Sequence, residues 1–130
     1  MQRHSLNVNT KLTGKEAFRE VLEVSLFNAE LIELNLSGRV DSELTIRLVL
    51  SRRDFPSKSG RLVVEFTGIN AFTFNYSNDY YFYKVETAKF FEDEEGYYLS
   101  LDPDPSTDIR SEQDQDVIIA NHVSVIYPAQ

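Results

Sequence analysis

The stretch Glu43-Leu44-Thr45-Ile46-Arg47-Leu48-Val49-Leu50-Ser51, followed after a polar loop by Arg61-Leu62-Val63-Val64-Glu65-Phe66-Thr67-Gly68, decides the fold of this chain. Leu44, Ile46, Leu48 and Leu50 fall on alternate positions, as do Leu62, Val64 and Phe66. Alternation with period 2 in β-branched and aromatic company predicts strands with one buried face. Between them, Arg52-Arg53-Asp54-Phe55-Pro56-Ser57-Lys58-Ser59-Gly60 breaks the period with Pro, Gly and Ser, so the two strands are expected to pair as an antiparallel hairpin.

Upstream, Glu30-Leu31-Ile32-Glu33-Leu34-Asn35-Leu36 resumes the period, with Ile32, Leu34 and Leu36 assigned inward. The turn Ser37 to Ser42 joins it to the hairpin as a meander. Earlier still, Thr13-Gly14-Lys15-Glu16 has capping-box spacing and opens an amphipathic N-terminal helix over about 14–25. Its apolar side takes Ala17, Phe18, Val21 and Leu22, with Val24 at its end; Glu16, Arg19, Glu20 and Glu23 fall largely on the polar side. Residues 1–12 show no period and are expected to fray.

Downstream, Tyr83 to Phe91 reads as a strand with a bulge near Ala88-Lys89-Phe90-Phe91. Glu92-Asp93-Glu94-Glu95-Gly96 reads as a hairpin turn and Tyr97 to Leu101 as the returning strand. Asp102 to Asp116, polar and holding two prolines, reads as a long loop. Val117-Ile118-Ile119-Ala120 and Val123-Ser124-Val125-Ile126-Tyr127 close the chain, as one strand broken at Asn121-His122 or as two short ones. Together these predict one domain over 1–130 of class α+β. Its β-rich part, 29–128, would hold about seven or eight mostly antiparallel strands in a two-layer or strongly curved sheet.

A chain of 130 residues buries roughly two-thirds of its unfolded surface without help from a metal or disulfide. The absence of cysteine excludes a disulfide framework, a thiolate nucleophile and thiolate-bound zinc. The first residues are polar and no apolar run approaches the ~18 residues of a membrane span, so a soluble cytoplasmic protein with no membrane partner is the expectation. The net charge of −8 is regional: residues 86–116 hold eleven acids against Lys89 and Arg110, whereas 1–85 hold ten acids and eleven bases. That region is unsuited to phosphate contacts, which argues against nucleic acid. It reads either as solvated loops or as a surface for a basic protein partner.

Few residues suggest chemistry. His4 and His122 stand alone, without a second histidine at ligand spacing. Asp102-Pro103-Asp104-Pro105-Ser106-Thr107-Asp108 places oxygens at alternate positions like the start of a calcium loop, but Thr107 and Gln113 occupy the places of the usual glycine and glutamate. Glu92, Asp93, Glu94 and Glu95 on one turn point in several directions, unlike paired catalytic carboxylates. No phosphate-cradling glycine loop or nucleophile elbow is present, so no cofactor and no enzymatic activity are expected. Eleven of the sixteen aromatics lie in 72–98. Neighbours in Tyr80-Tyr81-Phe82-Tyr83 face opposite sides of a strand, so these rings serve either a two-faced core or an interface. The same tyrosines keep open a carbohydrate or small-molecule ligand as the alternative.

Phe27-Asn28-Ala29-Glu30-Leu31-Ile32-Glu33-Leu34-Asn35-Leu36, the Leu44 to Leu50 strand, Val63 to Ile69, Gly96-Tyr97-Tyr98-Leu99-Ser100-Leu101-Asp102 and the closing strand to Tyr127-Pro128 follow one another in an order that resembles the bacterial immunity protein 50 family and related small β-rich domains. Members often carry a His-Asp pair before the first strand, where Asn28-Ala29 stand here. The resemblance implies a non-enzymatic protein that neutralises a basic toxin by steric and electrostatic occlusion. The candidate partner-binding residues are Glu92, Asp93, Glu94, Glu95, Asp102, Asp104, Asp114, Asp116, Tyr80, Tyr81, Tyr97 and Tyr98. Edge strands of a sheet this size also leave a homodimer open.

Overall fold

A computed structural model describes residues 11–38, 43–75 and 84–128. In chain order these form β1 (Lys11–Thr13), α1 (Gly14–Val24), β2 (Glu30–Ser37), β3 (Thr45–Ser51), β4 (Arg61–Thr73), β5 (Lys89–Asp93), β6 (Gly96–Asp102) and β7 (Gln115–Ile126). All strands join one antiparallel sheet in the order β2-β3-β4-β7-β6-β5, and β1 pairs with β7. One flank of β7 carries β4. The other carries β6 along Gln115 to Ala120, then β1 along Ser124 to Ile126.

The expected hairpin is β3–β4, in register from Ile46 opposite Phe66 to Ser51 opposite Arg61. Ile46, Leu48, Leu50, Leu62, Val64 and Phe66 are all at most 1% exposed. β4 runs past Gly68 to Thr73 and pairs with β7. Gly68 has φ of 63° and lies against the side chains of Asn121 and His122. There the inward phase slips: buried Phe66 and Val123 pair on one side, and Ile69 and Ala120 on the other, each three residues along.

One sheet replaces the option of two packed sheets, and its curvature follows from chain length. Lys84 bridges Glu30 of β2 at one edge, and Lys89 opens β5 at the other. Five residues reach at most ~18 Å. Six flat strands would hold their edges about 24 Å apart. The sheet therefore curls until its edges approach across the inner face. Val85 crosses that gap at 1% exposure, with its amide donating to the Ala29 carbonyl at 2.9 Å. Tyr83 to Phe91 is thus not a continuous strand: 84–88 is a crossing segment and β5 starts only at Lys89. Tyr83 itself lies outside the described residues.

α1 lies on the inner face against β7, with Phe18 packing on Phe90 and Tyr97 at ring separations of 4.9 and 5.5 Å. Its sides differ from the expected ones. Glu20 is buried and accepts a hydrogen bond from the Tyr127 hydroxyl, whereas Leu22 is 51% exposed. A hydrogen-bonded carboxylate at the helix–sheet seam displaces the simple apolar stripe. Thr13 makes no side-chain cap bond. It belongs to β1, opposite Ser124, so Lys11 and Leu12 are held in the sheet rather than frayed, and residues 1–10 lie outside the described residues. At the other helix end, Arg52 of the β3–β4 loop donates to the carbonyls of Val24, Ser25 and Phe27 at 2.7 to 2.9 Å. These satisfy acceptors that a helix C-terminus leaves open.

In β2 the bulge between Leu31 and Glu33 makes Ile32 the extra residue. Leu31 is the buried residue there, Ile32 is exposed, and Leu36 stays exposed although it lies opposite buried Ile46. β7 runs unbroken through Asn121-His122. Among the described residues, no helix is long and apolar enough to cross a membrane.

Candidate functional site

The outer face of β4, β7, β6 and β5 carries two cross-strand rows. Ala71, Ile119, Tyr98 and Phe91 form one; Thr73, Val117, Ser100 and Lys89 form the other. The loop after β6 folds back over the β6–β5 half of both rows. Phe91 and Tyr98 stack at 4.8 Å, and the Arg110 guanidinium lies 4.7 Å above the Tyr98 ring. Lys89 Nζ, with its side chain 7% exposed, donates to the Ile109 carbonyl at 2.6 Å and to Asp114 Oδ1 at 2.8 Å. The Tyr98 hydroxyl donates to Asp114 Oδ2 at 2.6 Å, and the amides of Asp104 and Ser111 donate to the same carboxylate at 2.8 and 3.0 Å.

Asp114 is therefore the anchor of the loop. Burial alone would raise its pKa; the bonds from Lys89, Tyr98 and the two amides outweigh that and hold it below the ordinary carboxylate value. Burial first, and then the bond to Asp114, push the Tyr98 phenol well up. Asp104 is held at about 2 by Ser106, through its hydroxyl and amide, and by the Ser111 hydroxyl. Asp116, 2% exposed with φ of 53°, accepts from the Asn75 amide at 2.9 Å.

The β5–β6 turn adjoins this loop through Arg110. Asp93 Oδ1 accepts the Glu95 amide at 2.8 Å, and Gly96 follows with φ of 110°. A methyl group on Gly96 would collide with the Ala120 carbonyl, so only glycine lets β6 pass β7 here. Glu92, Asp93, Glu94 and Glu95 are left exposed around the tip. Arg110 binds Asp93 through both carboxylate oxygens at 3.0 and 3.1 Å and reaches Glu95 at 3.0 Å. Both of the bases in 86–116 are thus bonded within the structure, and the exposed acids of the same end outnumber them.

The chain matches no family model, no curated protein and no solved structure.

The candidate residues divide into groups. Glu92, Asp93, Glu94 and Glu95 are all exposed at the β5–β6 hairpin, with Glu92 paired to Tyr97 on the inner-face side, and Asp108 and Glu112 are exposed on the loop over the outer face. Asp102 and Asp104 are half-buried. Asp114 and Asp116 are turned inward: Asp114 anchors the loop, and Asp116 holds the Asn75 amide at the end of β4. Tyr97 and Tyr98 are 5% and 3% exposed. Tyr97 lies in the core and Tyr98 under Arg110, and neither presents a face. Tyr80 and Tyr81 lie outside the described residues. His122 is an exposed strand residue opposite Thr67. Among the described residues, no three His, Asp or Glu side chains are placed to hold a metal ion, and Asp104 bonds to Ser106 and Ser111 inside its own loop.

Sequence reasoning missed Lys89 and Arg110, which build this end of the molecule. The signal was present as two bases among eleven acids. It also missed the uncovered β4–β7 half of the outer rows. There a shallow groove of about 390 Å³ is lined by Ala71, Thr73, Val117 and Ile119, with Arg110 and Glu112 along one wall.

Proposed function

We propose that this is a non-catalytic binding protein that recognises a basic protein partner through the β5–β6 turn and the adjoining loop. The observation that carries this reading is the sorting of charge at that end. Lys89 and Arg110 are occupied by Asp114, Asp93 and Glu95, whereas Glu92, Glu94, Asp108 and Glu112 face solvent. A surface of one sign steers an oppositely charged partner and raises its association rate. The paired β5–β6 backbone fixes where the carboxylates emerge before contact, which lowers the entropic cost of binding. Neutralisation of a basic toxin by occlusion, the role implied by the immunity-protein resemblance, is the form this binding would take. The burial of Tyr97 and Tyr98 supports a protein partner over a sugar, since neither ring is free to stack on one.

The test is capture from a lysate of the source cells on immobilised protein, at low and at high salt. The expected result is a stoichiometric basic protein retained at low salt, weakened at high salt, and lost from an E92Q/E94Q/E112Q variant. Equal retention by the variant, or no basic protein retained at low salt, would overturn the reading.

A further inference from the structure

The groove on the outer face gives the acidic end an apolar neighbour. Its floor is set by pairing: Ala71 lies opposite Ile119 and Thr73 opposite Val117. Ala71 and Thr73 are exposed, and Val117 and Ile119 are half-exposed. The loop that covers Tyr98 and Lys89 stops short of them, because Asp114 ties it back over β6. One wall bears Glu112 beside Arg110, whose charge is taken up by Asp93 and Glu95. At the end nearer the turn, the Asn70 side chain donates to the Glu95 carbonyl and to Asn121 Oδ1, both at 3.1 Å, which joins the groove to the acidic tip. Ile109, 71% exposed, adds apolar surface on the covering loop.

An apolar trough beside carboxylates is complementary to a segment that carries both properties. Resting on the function proposed above, we infer that the groove takes one aromatic or long aliphatic side chain of the basic partner, flanked by Lys or Arg residues that reach Glu112 and the Glu92–Glu95 turn. The anchor supplies specificity: surface charge alone attracts any cation, while a side chain seated in the groove fixes register. Desolvation of the floor by that side chain also strengthens the flanking ion pairs, since local dielectric falls as water leaves.

The test uses two capped pentapeptides, each with four lysines, one with a central tryptophan and the other with a central glycine. Binding is followed at low salt through the methyl signals of Ala71, Val117 and Ile119 and the amide signals of Glu92 to Glu95. The tryptophan peptide is expected to bind about tenfold tighter than its twin, a difference of about 1.4 kcal/mol, and to shift the three groove methyls by ring current. An A71W substitution, which fills the trough, is expected to abolish the preference while lysine binding at the turn persists. I119T, which thins the floor without adding bulk, should halve the preference or more and guards against a folding defect in the first variant. Equal binding of the two peptides, with amide shifts at the turn, would overturn the groove inference and leave the acidic reading standing. No binding of either peptide would overturn both. If sedimentation instead finds a dimer that A71W dissociates, the groove belongs to a second copy of this chain and the inference fails.

Discussion

Asp114 and Glu94 carry the same charge in the same acidic region, yet the fold treats them oppositely. Asp114 has a side chain with no solvent exposure and accepts from Lys89, Tyr98, Asp104 and Ser111. Glu94 stands at the tip of a turn in water. Regional charge thus mixes two kinds of carboxylate. Those turned inward organise a loop, and only those turned outward are available to a partner.

The largest effect is expected from Asp114→Ala. It leaves the Lys89 ammonium and the Tyr98 hydroxyl buried without their partner. A loss of about 3 kcal/mol is expected, at the lower end for a broken buried pair because only the loop itself covers the site. Urea denaturation checks it; an unmoved midpoint would mean that the loop is not anchored there.

A milder break is acid. Asp104 and Asp114 both have folded pKa values below the ordinary 3.8, Asp104 at about 2. Depressed carboxylates stabilise above the unfolded pKa and lose that contribution as pH falls through the folded one. The loop should therefore loosen between about pH 4 and pH 2. Amide signals of Asp104, Ser106 and Ser111 followed by nuclear magnetic resonance should move in that window, and should stay fixed above it.

The smallest effect on stability is expected from E92Q/E94Q, since both carboxylates are exposed at the turn and exposed substitutions of this kind barely move a denaturation midpoint. Its effect belongs to association: the rate for a basic partner should fall severalfold at low salt and converge with wild type at high salt. A variant that unfolds early instead would erase the distinction between inward and outward acids.

Much of the sheet was legible in the sequence. The β3–β4 hairpin, the Glu92–Gly96 turn, the β6 return and the Asp102–Asp116 loop all follow from alternation and turn residues. Failures came where the period is interrupted by a contact distant in sequence. Ile32 reads as inward, but the bulge beside it moves Leu31 into the core. Glu20 reads as solvated, but Tyr127 bonds it at the seam. Asn121-His122 reads as a break, but Gly68 across the ladder lets β7 continue through a change of phase. The groove was invisible because Ala71, Thr73, Val117 and Ile119 come from strands about 45 residues apart and meet only by register.

Alternating apolar residues by themselves determined that this chain makes strands, because period 2 can bury one face of a strand and no face of a helix, and the short polar connections made neighbours antiparallel. Composition likewise fixed where the negative charge lies along the chain. Only the tertiary structure decided which of those charges face water. That choice depends on Lys89 meeting Asp114 across 25 residues and Arg110 meeting Asp93 across 17. Such meetings are set by strand order and loop closure, which local sequence does not encode.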